Sequence, residues 1–196
     1  VPLYTDARLY GEAGVPVVFL AWRRPEDVKA CMAVLGEVFG KPERAASYAA
    51  YFDRVIAVNL SSCFRLSRDA VRLMLPNAYG RIINTGSIAG ILARPTIHAY
   101  VAAKAGLHGL TRSMAAELGR KGITVNAIAP GYFATELNTA LLNDKAFTAW
   151  VEGRTPAGRW AKPEELGGAV VFLASDAAAY VNGHVLVVDG GLSVTM

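Results

Sequence analysis

The sequence feature that most constrains the fold is a strand, helix, strand succession between residues 80 and 128. Residues 81–85 and 123–128 are short runs typical of strands, and residues 100–119 carry apolar side chains at helical spacing. Short turns join these segments, and such a connection implies a parallel sheet with a right-handed crossover. The sequence therefore predicts a parallel α/β fold.

Further elements extend this succession in both directions. Downstream, a helical insertion of substrate-binding size at 135–160 precedes a helix at 163–174 and a last strand at 184–188. Upstream, residues 15–20 form a run rich in β-branched side chains, typical of a buried strand. We interpret that run as a candidate edge strand of the same sheet.

Two helices are predicted between the run at 15–20 and the strand at 81–85. The first begins at Pro25 and is closed by Gly40 and Pro42. The second pattern continues without a break from about Glu43 to Met74, although ordinary helices average about 11 or 12 residues. The length of this second pattern is unusual for a small globular domain.

The composition excludes several classes of protein. Of the 196 residues, 53% are hydrophobic and 18% charged, which is enough to bury roughly 70% of the unfolded surface. The net charge of +4 is spread along the chain, so we expect no nucleic-acid partner. The longest apolar runs are far shorter than the roughly 20 residues that span a bilayer, so we expect no membrane segment.

The two cysteines, Cys31 and Cys63, lie among apolar neighbours, where a thiol usually packs as a small hydrophobe. The sequence therefore predicts neither a disulfide framework nor a metal site, and it favours the reducing cytoplasm. The histidines lack the spacing of metal ligands and are interpreted as satisfied structural or surface residues: His98, His108 and His184. The tryptophans are interpreted as packing residues: Trp22, Trp150 and Trp160.

A small group of polar residues carries the chemistry. Tyr100 and Lys104 are four residues apart on a predicted helix, so their side chains leave the same face one turn apart. An ammonium beside a tyrosine favours the phenolate and makes proton transfer possible near neutral pH. Ser87 follows the strand at 81–85, at the edge where parallel strands build ligand crevices. Asn59 lies in a helical pattern, where an amide is out of place unless a polar network satisfies it.

Each of these residues also has a purely structural interpretation. Tyr100 and Lys104 would then be a surface pair, and Ser87 would only cap a turn. Asn59 would bond to a neighbouring carbonyl, and the pair at 130–131 would simply end a strand. The order and spacing of all these residues together favour the functional interpretation, so we expect Tyr100, Lys104, Ser87 and Asn59 to converge on one pocket.

In order, spacing and residue type, four segments resemble the short-chain dehydrogenase/reductase family: residues 58–60, 84–90, Tyr100 with Lys104, and 126–131. The resemblance runs from about Val55 to Met196 and implies a Rossmann-like sheet. By that resemblance Tyr100 is the general acid/base, and Lys104 binds the nicotinamide ribose and favours the tyrosinate. Ser87 orients the substrate oxygen, and Asn59 holds a water in the proton relay.

The same resemblance implies NAD(P) as the cofactor and leaves the choice between NAD and NADP open. The residues implied on the nicotinamide and phosphate side are Pro130, Gly131, Phe133 and Thr135, together with Asn59, Tyr100 and Lys104. Segments 129–136, 154–160 and 172–176 resemble the gluconate 5-dehydrogenases, which implies a small hydroxy or keto substrate, gluconate and 5-ketogluconate. A 3-oxoacyl-carrier-protein reductase is the alternative.

Residues 1–54 depart from that family. The chain has no glycine-rich turn of the dinucleotide-binding spacing, and the glycines at 11–14 precede a predicted strand instead of following one. Segments 14–27 and 35–46 resemble the middle of a periplasmic substrate-binding protein of the siderophore or cobalamin type. We therefore predict a foreign strand-helix-helix segment at 1–54 and a dehydrogenase portion at 55–196, with the nucleotide-binding half missing or replaced.

Expectations about activity and assembly follow from this division. The chain should bind NAD(P) poorly and turn over gluconate slowly or not at all, because only one end of the cofactor is anchored. The alternatives are a binding module, in which residues 1–54 recognise a metal chelate or a transporter partner, and an inactive fragment. A homodimer or homotetramer is expected through helices at 60–75 and 100–118, which are apolar on several faces.

Overall fold

The structure is a computed structural model that describes residues 25–195, with side chains described at residue 30 and from residue 32 onward. The predicted strand at 15–20, Trp22 and the side chain of Cys31 lie outside the described residues. The chain divides into two compact units, Val1–Arg54 and Val55–Met196.

The described part of the first unit is built on a helical hairpin. Helix α1 is Pro25–Val38 and helix α2 is Pro42–Ile56, so both begin with the proline that favours a first helical position. Gly40 lies between them with φ +61°, in the left-handed region that favours glycine after a helix. A Cβ atom on Gly36 would lie 2.7 Å from the Cβ of Ala45, so the absence of a side chain lets the helices approach closely.

A π-helical segment, Ala57–Ser61, follows α2 directly and leads into helix α3, Ser62–Met74. The long helical pattern is therefore confirmed, but the π turn inside it was not predicted. Within this turn the Ser62 N–H donates to the Ala57 carbonyl, five residues back. Such turns are rare in helices and frequently lie at functional sites.

The second unit contains a parallel sheet of three strands: β1 is Gly80–Thr85, β2 is Ile123–Pro130 and β3 is Val185–Val188. The strands pair in the order β1-β2-β3, with Thr85 opposite Ile128 and Pro130 opposite Val188. The predicted parallel sheet is confirmed, with strand bounds that differ by one or two residues. Because all three strands are parallel, their carboxyl ends lie along one edge of the sheet.

Helix α4, His98–Leu118, connects β1 to β2 and packs on the sheet. The core between them contains Ile82 and Val125 from the strands and Met114 and Leu118 from the helix. Strand β2 is buried along its length, as expected for a central parallel strand covered on both faces. Its buried Asn126 is satisfied, because its amide donates to the Val181 carbonyl and accepts from the His184 N–H.

The remaining elements are short. Within the predicted helical insertion, helices α5 and α6 are Thr139–Leu142 and Lys145–Arg154, and the Asp144 carboxylate caps α6. The predicted helix at 163–174 begins as a 3₁₀ turn, and only Gly167–Ala174 forms α-helix α7. The 3₁₀ turns are Leu75–Asn77, Ile88–Gly90, Gly119–Lys121, Glu136–Asn138, Pro163–Leu166, Asp176–Ala178 and Leu192–Val194.

Two features are absent from the part of the chain that the structure describes. No helix between residues 25 and 195 is long and apolar enough to cross a membrane. Within the same range, no cluster of three or more His, Cys, Asp or Glu side chains could hold a metal ion.

The turn that leads into β2 depends on Gly122, which has φ +77°. A Cβ atom there would overlap the carbonyl oxygen of Ala78, and the left-handed backbone itself disfavours other residues. We expect Gly122→Ala to lower the free energy of unfolding by at least about 2 kcal/mol in urea denaturation. Gly153→Ala is the matched control, because a Cβ at that helical position meets nothing within 4 Å. Equal midpoints for the two variants would contradict this expectation.

Candidate active site

Tyr100 and Lys104 occupy consecutive turns of α4 and share one face, as their spacing predicts. The Lys104 Nζ lies 5.4 Å from the centroid of the Tyr100 ring. This distance is within the range in which an aromatic ring attracts a cation. The structure therefore brings the phenol and the ammonium together, and the interpretation as a mere surface pair is wrong for Lys104, which is buried.

The Lys104 ammonium joins α4 to the end of β1. Its Nζ donates a hydrogen bond of 2.9 Å to the carbonyl oxygen of Thr85, the last residue of that strand. Burial lowers the pKa of Lys104 below its ordinary value of 10.5, and the nearby Cys63 opposes this effect. A charged group held in this way fixes the rotation of the helix relative to the strand end.

Ser87 lies two residues beyond β1 and caps the 3₁₀ turn Ile88–Gly90. Its Oγ accepts a hydrogen bond of 3.1 Å from the Ala89 N–H. The structural interpretation of Ser87 as a turn cap is therefore correct. A hydroxyl that accepts one bond keeps its own proton for donation, so capping leaves Ser87 able to bind a substrate oxygen.

Asn59 lies in the middle of the π-helical segment. The side-chain Nδ2 of Asn59 donates to the Val55 carbonyl at 3.1 Å. The backbone carbonyl oxygen of Asn59 lies 3.7 Å from the Cys63 thiol sulfur. The segment packs on α4, since a Cβ on Gly106 would lie 3.0 Å from Leu60. The structural interpretation, a bond to a neighbouring carbonyl, is correct for the Asn59 amide. The π turn nevertheless brings its backbone against the helix that carries Tyr100 and Lys104.

His108 is neither on the surface nor fully satisfied, in contrast to its interpretation from the sequence. It is 4% exposed, and its Nε2 has no hydrogen-bond partner among the described residues. The ring lies against Gly86 and Gly90, where Cβ atoms would overlap the imidazole. His108 is four residues after Lys104 on the same helical face, so its burial could have been inferred from periodicity. His98 and His184 are exposed, as predicted.

Burial and the neighbouring cations Arg112 and Lys104 lower the pKa of His108 below its ordinary value of 6.5, while a hydrogen bond with the Gly90 backbone opposes them. The imidazole therefore favours its neutral form. In this form it packs against both ends of the turn that carries Ser87. Together with the Lys104 bond to Thr85, this contact holds the Ser87 turn against α4.

The residues implied on the cofactor side continue from the end of β2. Gly131 donates its N–H to the Val188 carbonyl at 2.9 Å, and Thr135 donates its N–H to the Phe133 carbonyl at 2.9 Å. Pro130 is the last residue of β2, next to the edge at which β1 also ends. The Gly86 N–H donates to the Ile128 carbonyl at 2.8 Å, which joins the Ser87 turn to this segment.

Phe133 has a buried side chain. It is 5% exposed and lines a cavity of about 200 Å³ with Asp189 and Arg159. Tyr100, Lys104, Ser87 and Asn59 do not line that cavity. The structure thus joins the segment that begins at Pro130 and Gly131 to the Ser87 edge, while the Phe133 side chain lines the cavity with Asp189 and Arg159.

An aromatic cluster next to this edge was not predicted as a unit. Tyr132 lies 5.5 Å from Phe147 and 5.4 Å from Trp160, ring centroid to ring centroid, and Phe147 stacks on Trp150 at 5.5 Å. The interpretation of Trp150 and Trp160 as packing residues is confirmed by these contacts. The guanidinium of Arg94, which the sequence did not single out, lies 4.9 Å above the Phe147 ring.

The fold and these contacts agree with the comparisons with known proteins. A family model described as enoyl-(acyl carrier protein) reductase matches residues 13–193. The chain belongs to this family, a branch of the short-chain dehydrogenases/reductases.

Two curated relatives and one solved structure illustrate the similarity. The chain is 51% identical over 142 residues to 5-keto-D-gluconate 5-reductase of Escherichia coli (strain K12), covering 72% of this chain and 56% of the relative. It is 46% identical over 141 residues to a 3-oxoacyl-[acyl-carrier-protein] reductase of Rickettsia felis, covering 72% of this chain and 58% of the relative.

The solved structure is a gluconate 5-dehydrogenase from Burkholderia cenocepacia J2315 in complex with NADP and tartrate. The TM-score is 0.74 at 46% identity, covering 75% of this chain and 58% of that chain. The chain thus spans between a half and two thirds of the length of the proteins it matches.

The lowered pKa of His108 predicts a specific pH dependence of stability. The unfolded state takes up a proton near pH 6.5, whereas the buried imidazole resists protonation, so stability falls as pH drops below 6.5. We expect His108→Leu to show a shallower loss of the free energy of unfolding between pH 7 and pH 5, measured by urea denaturation. His98→Gln, at an exposed histidine, should retain the steeper loss of the unchanged protein. Identical slopes for all three proteins would contradict the role given to burial.

Proposed function

We propose that this chain is an NAD(P)-dependent oxidoreductase that interconverts a secondary alcohol and a ketone, namely gluconate and 5-ketogluconate. One observation carries the proposal: the Lys104 ammonium lies beside the Tyr100 ring and is bonded to Thr85, two residues before Ser87. In this arrangement a phenol, a cation and a hydroxyl lie on two packed elements at the carboxyl edge of a parallel sheet, which supports their assignment to proton transfer and substrate binding. That edge is where ligands bind in open α/β sheets.

The donors at this edge fit a nicotinamide cofactor. An ammonium has three N–H donors, and the one hydrogen bond of Lys104 among the described residues leaves the others free for ribose hydroxyls. We assign Lys104, Tyr100 and Asn59 to the ribose side and Pro130, Gly131 and Thr135 to the nicotinamide side. Phe133 belongs to the same segment, and its buried side chain lines the cavity with Asp189 and Arg159. The bound cofactor supplies or accepts the hydride at the substrate carbon.

Tyr100 moves the proton that accompanies this hydride. In the reduction of the ketone, the Tyr100 hydroxyl donates its proton to the carbonyl oxygen as that oxygen becomes an alcohol. The phenolate left behind is stabilised by the positive charge of Lys104 beside the ring. In the oxidation the phenolate takes the proton back from the alcohol, so protons balance in both directions.

Ser87 positions the substrate oxygen, and Asn59 supports the supply of protons to the site. The Ser87 hydroxyl, whose oxygen already accepts from Ala89, donates to the substrate oxygen and so holds it for Tyr100. Asn59 lies on the π turn that packs against α4, and its backbone supports a water that returns a proton to the site. The neutral His108 keeps the Ser87 turn in place without adding a charge.

A sugar acid is the substrate that the relatives favour. The Escherichia coli relative is a 5-keto-D-gluconate reductase, and the Burkholderia cenocepacia relative was crystallised with tartrate, a hydroxy dicarboxylic acid. A 3-oxoacyl-carrier-protein reductase is the second candidate, because the Rickettsia felis relative has that activity in its name. The two candidates differ in the size and charge of the ketone, so one assay with both substrates separates them.

The test of the proposed function is an NAD(P)H oxidation assay with 5-ketogluconate. We expect a slow rate that depends on the ketone, because Lys104 and its neighbours anchor mainly one end of the cofactor. Tyr100→Phe should reduce this rate at least about 10²-fold, since it removes the proton donor and leaves the ring in place. Tyr79→Phe is the matched control, because Tyr79 is an exposed tyrosine outside the site. A rate that survives in Tyr100→Phe, or no rate in the unchanged protein, would contradict the proposal.

We also propose that the enzyme assembles as a homodimer or homotetramer in the cytoplasm, where Cys63 stays a free thiol. Large apolar side chains lie exposed on the π segment and α3: Val58, Phe64, Leu66 and Leu73. On α4, in contrast, Leu107 and Met114 are buried in the core of the chain itself. The helix at 60–75 therefore contributes more to the interface than the helix at 100–118.

Light scattering tests this assembly. We expect the unchanged protein to be a dimer or tetramer at micromolar concentration and the double variant Leu66→Glu with Leu73→Glu to be a monomer, because buried carboxylates disfavour the interface. Leu137→Glu changes a still more exposed leucine outside α3 and should keep the assembly. A monomeric unchanged protein would show the proposed assembly to be wrong.

A further inference from the structure

Arg94 is a cation that the proposed reaction does not use. It lies in the connection between the Ser87 turn and α4, and its side chain is half-buried. Its guanidinium lies over the Phe147 ring at 4.9 Å from the centroid. No ion pair of the described residues includes Arg94.

The ring below Arg94 is itself held by other rings. Phe147 contacts Tyr132 edge to face at 5.5 Å and stacks on Trp150 at 5.5 Å. A guanidinium on a fixed aromatic face loses part of its freedom before any ligand arrives, and its N–H donors remain available at the rim. Arg94 is therefore pre-organised for an anion, with no carboxylate of the described chain to occupy it.

The segments next to Arg94 and beneath it locate this cation relative to the proposed reacting groups. Arg94 is bracketed in sequence by Ser87 and Tyr100, and the loop that carries it ends at the first turn of α4. The rings beneath it begin with Tyr132, which directly follows Gly131 on the cofactor side. The cation thus lies where the elements that hold the substrate oxygen and the nicotinamide meet the helical insertion.

We propose that Arg94 binds the carboxylate of the substrate, an inference that rests on the proposed function and specifies how the sugar acid is recognised. A guanidinium pairs with a carboxylate through two parallel N–H···O bonds, which gives direction as well as strength. The aromatic cluster offers an apolar surface to the C–H faces of the carbon chain. A hydroxy acid then binds with its carboxylate at Arg94 and its reacting carbon turned towards Tyr100.

This subsite selects by charge. A polyol of the same length that ends in CH₂OH gives the guanidinium no anion, so Arg94 stays unpaired when such a ligand binds. A neutral ligand should therefore bind more weakly than the acid. Replacement of Arg94 by an uncharged side chain should abolish the difference in affinity between the neutral ligand and the acid.

Tryptophan fluorescence measures binding at this place, because Trp150 and Trp160 belong to the cluster beneath Arg94. The probes are sodium gluconate and sorbitol, which share a six-carbon skeleton, titrated at constant ionic strength. The variants are Arg94→Met, Arg94→Lys and the control Arg120→Met, an exposed arginine on the turn after α4. Thermal melts of each variant verify that it folds like the unchanged protein.

We expect the unchanged protein to bind gluconate at least tenfold more tightly than sorbitol. Arg94→Met should weaken gluconate binding at least tenfold and leave sorbitol binding unchanged. Arg94→Lys should bind gluconate with an affinity between those of Arg94→Met and the unchanged protein, because an ammonium keeps the charge but lacks the planar fork of the guanidinium. In the assay of the proposed function, Arg94→Met should raise KM for 5-ketogluconate more than it lowers kcat.

The outcomes separate this inference from the proposed function. Gluconate binding that is unchanged in Arg94→Met overturns the carboxylate subsite and leaves the proposed function standing. An equal loss of gluconate and sorbitol binding assigns Arg94 a packing role and also overturns the inference. If the unchanged protein binds no gluconate, the proposed substrate itself is wrong.

Discussion

The hydrogen bond from the buried Lys104 to the Thr85 carbonyl is the interaction on which the arrangement of the site depends. Burial of an unpaired ammonium is costly, so the Lys104 side chain needs this partner. A hydrogen bond to a charged group contributes about 1.5–3 kcal/mol to stability. It fixes which face of α4 meets the end of β1. Tyr100, one turn earlier on that face, and Ser87, just beyond the strand, take their positions from the same contact.

Single residues combine an observed structural role with the chemical role proposed for them. Ser87 caps a turn through its oxygen and still has a proton to donate, and Asn59 satisfies its amide locally while its backbone forms the π turn. The structural interpretation of each residue is therefore correct, and it does not compete with the functional one. The proposed site needs few extra residues, because the groups to which the chemistry is assigned also hold the loops that carry them.

The sequence predicted the parts of the fold that depend on local periodicity. The three parallel strands, the helix between the first two and the pairing of Tyr100 with Lys104 all follow from spacing alone. The π turn, the placement of Arg94 over Phe147 and the His108 Nε2, which has no partner among residues 25–195, depend on contacts between distant segments that periodicity does not encode. The separate origin of residues 1–54, the roles of the site residues and the oligomeric state stay predictions.

The contact of His108 with Gly86 and Gly90 has an evolutionary consequence. A Cβ at position 90 would lie 2.6 Å from the imidazole Cε1, and one at position 86 would overlap Nε2, so the three positions share one fixed volume. Alanine at 86 or 90 is disfavoured even where residue 108 is small, because its Cβ would also lie 2.8 Å from the Ile128 carbonyl oxygen or 2.9 Å from the carbonyl carbon of Lys104. Related proteins should therefore keep glycine at both positions, while residue 108 varies only among side chains no larger than an imidazole and the place of the serine is preserved.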